Sequence, residues 1–512
     1  MSKFVIFITA LALVSAAGAR RAVADSHGDD LSRWIDQRGK DIWGPPPGPC
    51  DDLTFVRRVY LDLVGRVPSV SEIRDFRTLG DDRRKVLVDE LVFGEGPRRE
   101  LYTRLSASSL ARYWRRIMLP PGTVVVGPTD GLEVWLTNAF RDGMPYDEMM
   151  REFTLIQTPQ SAGGYFQLVG GTPESYAGNL SRVMLGVRLD CAQCHDHPFT
   201  NWKQKDFWGL AAFYSDIPGM VDNPDASKPT GKGGEIRYEG TTYAAKFLWD
   251  DERLPDGSRT PRVRLARWMT SSDNPHFAST AVNRFWQLLV GRGLYPDIEN
   301  LDLASEDERV FLDEFGQKFA EDGFHVQRLI AAICKTDWYA ASVMSQGDAA
   351  SESDTEEMFR RELKVISPEQ VFDSLEQSLH LPISRIDPSA PRWTGARAQM
   401  VNRLGEAIGE TPEDYESGIP QALMMMNGKV TADAIDLDRS RLLRAVVESP
   451  FFDEGTRIET LYLAVLTREP SEAEKKSLTE YLENKPDDTK RRKAFGEILW
   501  ALLNSPEFVL CR

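Results

Sequence analysis

The chain spells out its helix starts in side-chain chemistry. Ser69-Val70-Ser71-Glu72 and Ser471-Glu472-Ala473-Glu474 each set a serine three residues before a glutamate. At that spacing hydroxyl and carboxylate satisfy each other's backbone N–H groups at a helix N-terminus. Ser367-Pro368-Glu369-Gln370 adds proline at the first helical position, where its fixed φ suits the helix and its missing N–H costs nothing. Val371, Phe372, Leu375 and Leu379 then mark one face of that helix. The fold class these signals predict is mainly α.

Strand character is confined to the middle, where Glu235-Ile236-Arg237-Tyr238 and Thr242-Tyr243 flank Gly240 and predict a small β ribbon. It lies in a stretch rich in Gly, Pro and Asp that separates two helical blocks. The expected organisation is a signal peptide at 1–24, a helical domain at 25–216, an irregular linker with the ribbon at 217–261, and a second helical domain at 262–512. Gly44-Pro45-Pro46-Pro47-Gly48-Pro49 reads as an extended lead-in, and the acidic stretch 345–357 as a loop inside the second block.

At the N-terminus Lys3 precedes an apolar run from Phe4 to Ala17, and two small-x-small sites follow, Ala17-Gly18-Ala19 and Ala22-Val23-Ala24. This pattern reads as a cleavable secretory signal. The run of 14 residues is short for a membrane span, and Arg20-Arg21 follow it rather than precede it, unlike a twin-arginine signal. No later stretch has the length of a membrane helix, so the mature chain is expected to be periplasmic or secreted, with no transmembrane segment. Loss of Lys3, Arg20 and Arg21 takes the net charge from −16 to −19, which argues against nucleic acid and against anionic lipid as partners.

One stretch carries chemistry by itself: Cys191-Ala192-Gln193-Cys194-His195, followed at once by Asp196-His197-Pro198-Phe199. At CxxCH spacing both thiols can bond to the vinyl groups of one haem while the adjoining imidazole ligates the iron from the proximal side. The expected cofactor is therefore haem c, bound by Cys191, Cys194 and His195. An alternative is zinc or another transition metal held by the same thiols with His195 and His197, although four donors crowded into one turn strain a tetrahedral site. A Cys191–Cys194 disulfide is a third. The aromatic density downstream, Phe199, Trp202, Phe207, Trp208, Phe213 and Tyr214, would suit a haem slot or plain core. Met184, Met220 and Met424-Met425-Met426 are the methionines considered as a distal ligand, although methionine packs more often than it ligates. Only Cys50, Cys334 and Cys511 remain outside the motif, leaving room for at most one further bridge.

Several longer motifs resemble a known pair of modules. Val56-Arg57-Arg58-Val59-Tyr60-Leu61-Asp62-Leu63-Val64-Gly65-Arg66-Val67-Pro68, Arg141-Asp142-Gly143-Met144-Pro145-Tyr146-Asp147, and the run from Leu185 through the CxxCH to Trp208 resemble the secreted planctomycete cytochrome-like domain of unknown function. Asp273-Asn274-Pro275-His276-Phe277, Val282-Asn283-Arg284-Phe285-Trp286, Gly291-Arg292-Gly293-Leu294 and the closing Trp500 to Phe508 resemble its companion planctomycete-specific domain. The resemblance extends the third motif through Asp196 and His197, more than haem attachment alone requires. One departure stands out: where the family often carries an Asn-Pro-Pro-Ser-His-Pro-like stretch, this chain has Asp302-Leu303-Ala304-Ser305-Glu306-Asp307.

The leading expectation is a secreted c-type haem-binding protein with an electron-transfer or redox role and a redox or cell-surface protein partner. The alternatives are a non-haem metal-binding protein or metal-dependent hydrolase using the Cys/His cluster, and a cell-surface scaffold with a CxxC disulfide. GxSxG, HExxH and GxxxxGK[ST] motifs are absent from the sequence, and no catalytic residue is assigned. Lone His276, His325 and His380 read as packing or surface groups.

Overall fold

The computed structural model describes residues 28–120, 130–156, 164–217, 228–229, 234–249, 260–343, 363–380, 401 and 429–511. The leader, the acidic stretch 345–357, Met220 and Met424-Met425-Met426 lie outside the described residues. The fold is mainly α, as the capping signals predict. At Ser69 the Glu72 N–H donates to the serine hydroxyl (3.1 Å) while the Glu72 carboxylate accepts the Ser69 N–H (2.7 Å). The same reciprocal caps open Pro368–Leu379 and Glu472–Glu483, and two more, at Thr172 and Ser305, open Pro173–Leu180 and Glu306–Glu321. Among the described residues no helix is long and apolar enough to cross a membrane.

The ribbon is a three-stranded antiparallel sheet, β1 (Lys228–Pro229), β2 (Glu235–Tyr238) and β3 (Thr241–Ala244). Glu239 (φ 47°) and Gly240 (φ 82°) make the turn between β2 and β3. Two successive positive φ values give the turn the twist that a two-residue hairpin needs. A second small sheet pairs β4 (Lys364–Val365) with β5 (Leu510–Cys511).

Apolar packing does not divide at 217–261. One core runs from Ile35 to Tyr339 and draws on both sides of that segment. Its centre shows why: Trp114 lies 5.3 Å from both Tyr146 and Phe285, and Tyr146 stacks on Phe277 at 5.1 Å. The second core is built by residues 366–511, into which Leu61 and Val67 of the first motif insert. Arg57 joins the two cores, its guanidinium donating to Val465 O (3.2 Å) and Phe508 O (2.8 Å). Arg58, fully buried beside it, donates to Ala341 O (3.0 Å).

Two α-helices end in a five-residue π turn, Tyr60–Val64 and Ser181–Leu185, and each turn stops at a left-handed glycine, Gly65 or Gly186. Such wide turns shift the register of the chain beyond them and often occur where a site is built. After the second, Leu301 N–H donates to Gly186 O (2.7 Å), and Val187 forms an antiparallel bridge with Asn300. Glu299 sits beside this seam, paired with Arg182 and Arg188 and 4.0 Å from the Arg284 guanidinium. Arg284 is itself buried and donates to Val183 O (3.1 Å) and Arg182 O (2.9 Å), so it braces the π turn from within. Burial works against the Glu299 carboxylate, but Arg182 and Arg284 outweigh it and hold its pKa below the ordinary 4.5.

Gly186 has φ 62°, and a Cβ there would stand 2.7 Å from Ile298 O. Gly186→Ala is expected to cost about 2 kcal/mol through left-handed strain and this clash, whereas Gly48→Ala, where a Cβ meets nothing within 4 Å, changes thermal stability by less than ~0.5 kcal/mol. Because the folded carboxyl of Glu299 titrates below its unfolded value, its stabilisation is complete above pH 4.5 and is lost as pH falls through the lowered pKa. Glu299→Gln should therefore destabilise by about 3 kcal/mol near neutrality, and that difference should shrink in denaturant titrations run at progressively lower pH.

Candidate functional site

The CxxCH turn hangs from the seam. Beyond Val187 the chain enters a single 3-10 turn, Asp190–Gln193, which buries Ala192 in the core and leaves Cys191 and Cys194 exposed. Cys191 and Cys194 are free thiols, and Cys50, Cys334 and Cys511 are buried. The turn's carbonyls are held from the following helix, Gln204–Ala211. Gln204 Nε2 donates to Gln193 O (3.2 Å) and Cys194 O (3.1 Å), and the Trp208 indole donates to Gln193 O (3.0 Å). Tyr243 of β3 in turn donates its hydroxyl to Gln204 Oε1 (3.2 Å), so the ribbon supports the side chain that supports the motif.

The loop between turn and helix closes on itself. Gln204 N–H donates to Asp196 Oδ1 (3.0 Å), with Lys203 Nζ 3.3 Å from the other carboxylate oxygen. The backbone bond to Gln204 is the main cause that lowers the Asp196 pKa, helped by Lys203 and His195. His197 N–H donates to Trp202 O (2.9 Å). The Trp202 indole reaches across to the second half of the chain and donates to Asp302 Oδ2 (2.6 Å). Burial raises the Asp302 pKa, opposed by the Trp202 bond and the nearby His197 and Arg309. Asp302 belongs to the stretch where this sequence departs from the family pattern, and here it anchors the motif loop.

The two imidazoles are in opposite tautomers. His195 Nδ1 lies 2.7 Å from Asp196 O, and because a carbonyl only accepts, Nδ1 carries the proton and Nε2 keeps its lone pair. A donor nitrogen bonded to a backbone carbonyl is the arrangement that orients an imidazole for ligation through Nε2. His197 Nδ1 instead accepts two backbone bonds, from Phe199 N–H (3.2 Å) and Thr200 N–H (3.1 Å). In the neutral ring that leaves the proton on Nε2, so neither nitrogen of His197 offers a free lone pair. Among the described residues no group of three or more His, Cys, Asp and Glu side chains is placed to hold a metal ion.

The aromatic side chains downstream take the role of core. Phe207, Trp208, Phe213 and Tyr214 are all buried, Trp208 stacking on Tyr238 of β2 at 4.2 Å. Phe199, at the tip of the loop, is 85% exposed. Of the two readings of this run, haem slot or plain core, these buried members serve as core; Phe207 and Trp208 lie on the helix that buttresses the turn, and Phe213 and Tyr214 in the 3-10 turn that follows it. Met184 is fully buried, its sulfur accepting from the Thr154 hydroxyl (3.8 Å).

The other histidines follow their expected reading. His276 is buried, stacks on Trp249 at 3.9 Å and meets Arg309 at 3.4 Å; burial and that cation push its pKa down to about 3. His380 is the left-handed C-cap of Pro368–Leu379. His325 precedes Val326–Cys334 at the N-cap position without a side-chain cap bond and, with Phe93, Phe140, Asp142 and Arg328, lines a cavity of about 320 Å³. Asn283 brackets Tyr295 through both its amide atoms (2.8 and 3.2 Å). Of the supporting residues, Gln204 lies within the third motif and Asp302 in the departure from the family pattern, whereas Glu299 is one that motif reading did not single out.

Exposure alone sorts the thiols. Brief alkylation of the folded, porphyrin-free chain should add two labels, on Cys191 and Cys194, whereas alkylation in denaturant should add five, read by intact mass and peptide mapping. Label on Cys50, Cys334 or Cys511 at the same native rate would contradict this packing.

Two family models match the chain in series. Residues 30–218 match the model PSCyt2, described as a protein of unknown function (DUF1549), and residues 261–392 match PSD1, described as a protein of unknown function (DUF1553). No curated protein and no solved structure matches the chain. The first match ends just past the helix that buttresses the CxxCH turn, and the second contains Glu299, Leu301 and Asp302, which hold that turn from the other side. The chain belongs to the two-domain planctomycete-type family in which these two modules follow one another.

Proposed function

We propose that this protein is an exported c-type haem-binding protein with an electron-transfer role, its haem held by thioethers from Cys191 and Cys194 and by His195. The observation that carries this reading is the His195 tautomer. With Nδ1–H given to the Asp196 carbonyl, Nε2 is left as the one imidazole nitrogen of the motif with a free lone pair, one residue from an exposed thiol. A haem bound there would supply one-electron chemistry.

The chain's own part is to present the three donors on a turn whose carbonyls are tied down by Gln204 and Trp208. Since the neighbouring aromatic residues are core, they offer no enclosing slot, and the donors face solvent. That placement suits exchange with a protein partner at the surface, and the acidic chain favours a partner with a basic contact face. The secretory reading of residues 1–24 puts the protein in the periplasm or outside the cell, the compartment where such haem is attached. The Cys2His2 alternative is weakened by His197, whose Nδ1 is engaged by two backbone N–H groups.

The full chain made with its leader in a host that attaches haem in its periplasm should show a Soret band, a haem stain that survives denaturation, and the mass of one added porphyrin. A variant carrying Cys191→Ala and Cys194→Ala should lose all three. Colourless wild-type protein with stoichiometric zinc or copper would replace the proposal with a metal site. Colourless protein lighter by two hydrogens at Cys191 and Cys194 would replace it with a disulfide.

A further inference from the structure

We infer that His197 is a positioning residue: it acts as a hydrogen-bond acceptor that locks the loop behind the CxxCH turn, and it is not a ligand. The inference concerns the site of the proposed haem but stands on the loop's own geometry. His197 makes three backbone bonds within the six residues 197–202. Its N–H donates to Trp202 O (2.9 Å), and its Nδ1 accepts from Phe199 N–H (3.2 Å) and Thr200 N–H (3.1 Å).

An acceptor atom on residue i that takes the N–H groups of i+2 and i+3 is the arrangement Asn and Asp use to build tight turns. Nδ1 of histidine occupies the position of Oδ1 in asparagine, two bonds from Cβ. The ring thus works here as an asparagine with a longer reach. The Pro198 in between has no N–H to satisfy, so His197 takes both of the next available donors. A metal-binding role through Nε2 would need the proton on Nδ1, and both backbone bonds would be lost together.

What the lock holds in place is specific. Closing 197–202 sets Trp202, whose indole donates to Asp302 (2.6 Å), and sets the entry to the helix whose Gln204 holds the Gln193 and Cys194 carbonyls. Trp202 N–H also donates to the Thr200 hydroxyl (3.4 Å), a second bond within the same loop. Removing the acceptor therefore releases the support of the turn that carries both thiols, while the buried core beneath, Ala192 and Trp208, is left intact.

The test uses the porphyrin-free full chain, so its outcome is separate from that of the haem proposal. The readouts are hydrogen exchange at the Phe199 and Thr200 amides, and the equilibrium of the Cys191/Cys194 dithiol with glutathione disulfide, which forms one protein disulfide and two reduced glutathiones and reports how well the turn holds the sulfurs together. His197→Ala should remove amide protection and move the dithiol equilibrium by about fivefold. His197→Asn should restore both to within about twofold of wild type, and His197→Gln, with its acceptor one methylene too far, should behave as His197→Ala. Melting curves on each variant separate a loosened loop from global unfolding. The inference is overturned if His197→Asn is as defective as His197→Ala, if His197→Ala matches wild type, or if wild-type chain binds zinc stoichiometrically and His197→Asn abolishes it.

Discussion

Everything around the motif depends on one carboxylate, Glu299, and the guanidinium groups that converge on it. Arg182 comes from the π turn Ser181–Leu185, Arg188 from the short stretch between that turn and Cys191, Arg284 from the helix Pro275–Val290, and Glu299 from the loop that follows that helix. Arg182 also donates to Asn179 Oδ1 (2.7 Å) and Ile117 O (3.0 Å), so the pair is wired into the first helices as well. Buried cations without this carboxylate would carry an uncompensated desolvation penalty of several kcal/mol. The two family-matched segments are therefore joined by charge, and the backbone bond from Leu301 to Gly186 registers the joint.

The sequence is legible wherever the deciding interactions are local. Ser69, Ser367 and Ser471 announce helices because each cap is complete within four residues. Gly240 announces the ribbon because glycine takes the positive φ of a hairpin turn without strain, a local property legible in the residue itself. The division of the core is not legible, since Trp114 meets Phe285 across 171 positions of sequence and nothing local in either residue records the other. The aromatic run 199–214 is ambiguous for the same reason. Spacing gives its periodicity, but only the packing of Tyr238 on Trp208 shows that the faces are already occupied.

Within the candidate site the ligand types are plain from spacing, whereas their states are not. His195 and His197 are chemically identical and two residues apart, yet one donates from Nδ1 and the other accepts there. That difference is set by which backbone groups the loop brings to each ring, a matter of φ and ψ that no spacing rule contains. Asp302 shows the complementary case. As a departure from the family stretch it reads as a loss, and in the structure it accepts the Trp202 indole while Ser305, three residues on, caps the next helix.

The long reach of that Trp202–Asp302 bond has a temporal side. A chain that emerges N-terminus first presents Cys191 and Cys194 about a hundred residues before Asp302 follows, and Glu299 and Leu301 arrive only just ahead of it. Until then the turn lacks its outer brace and both thiols sit on a pliable segment. The spacing of the brace along the chain thus sets the order in which this part of the fold can be completed, the turn first and its outer brace last.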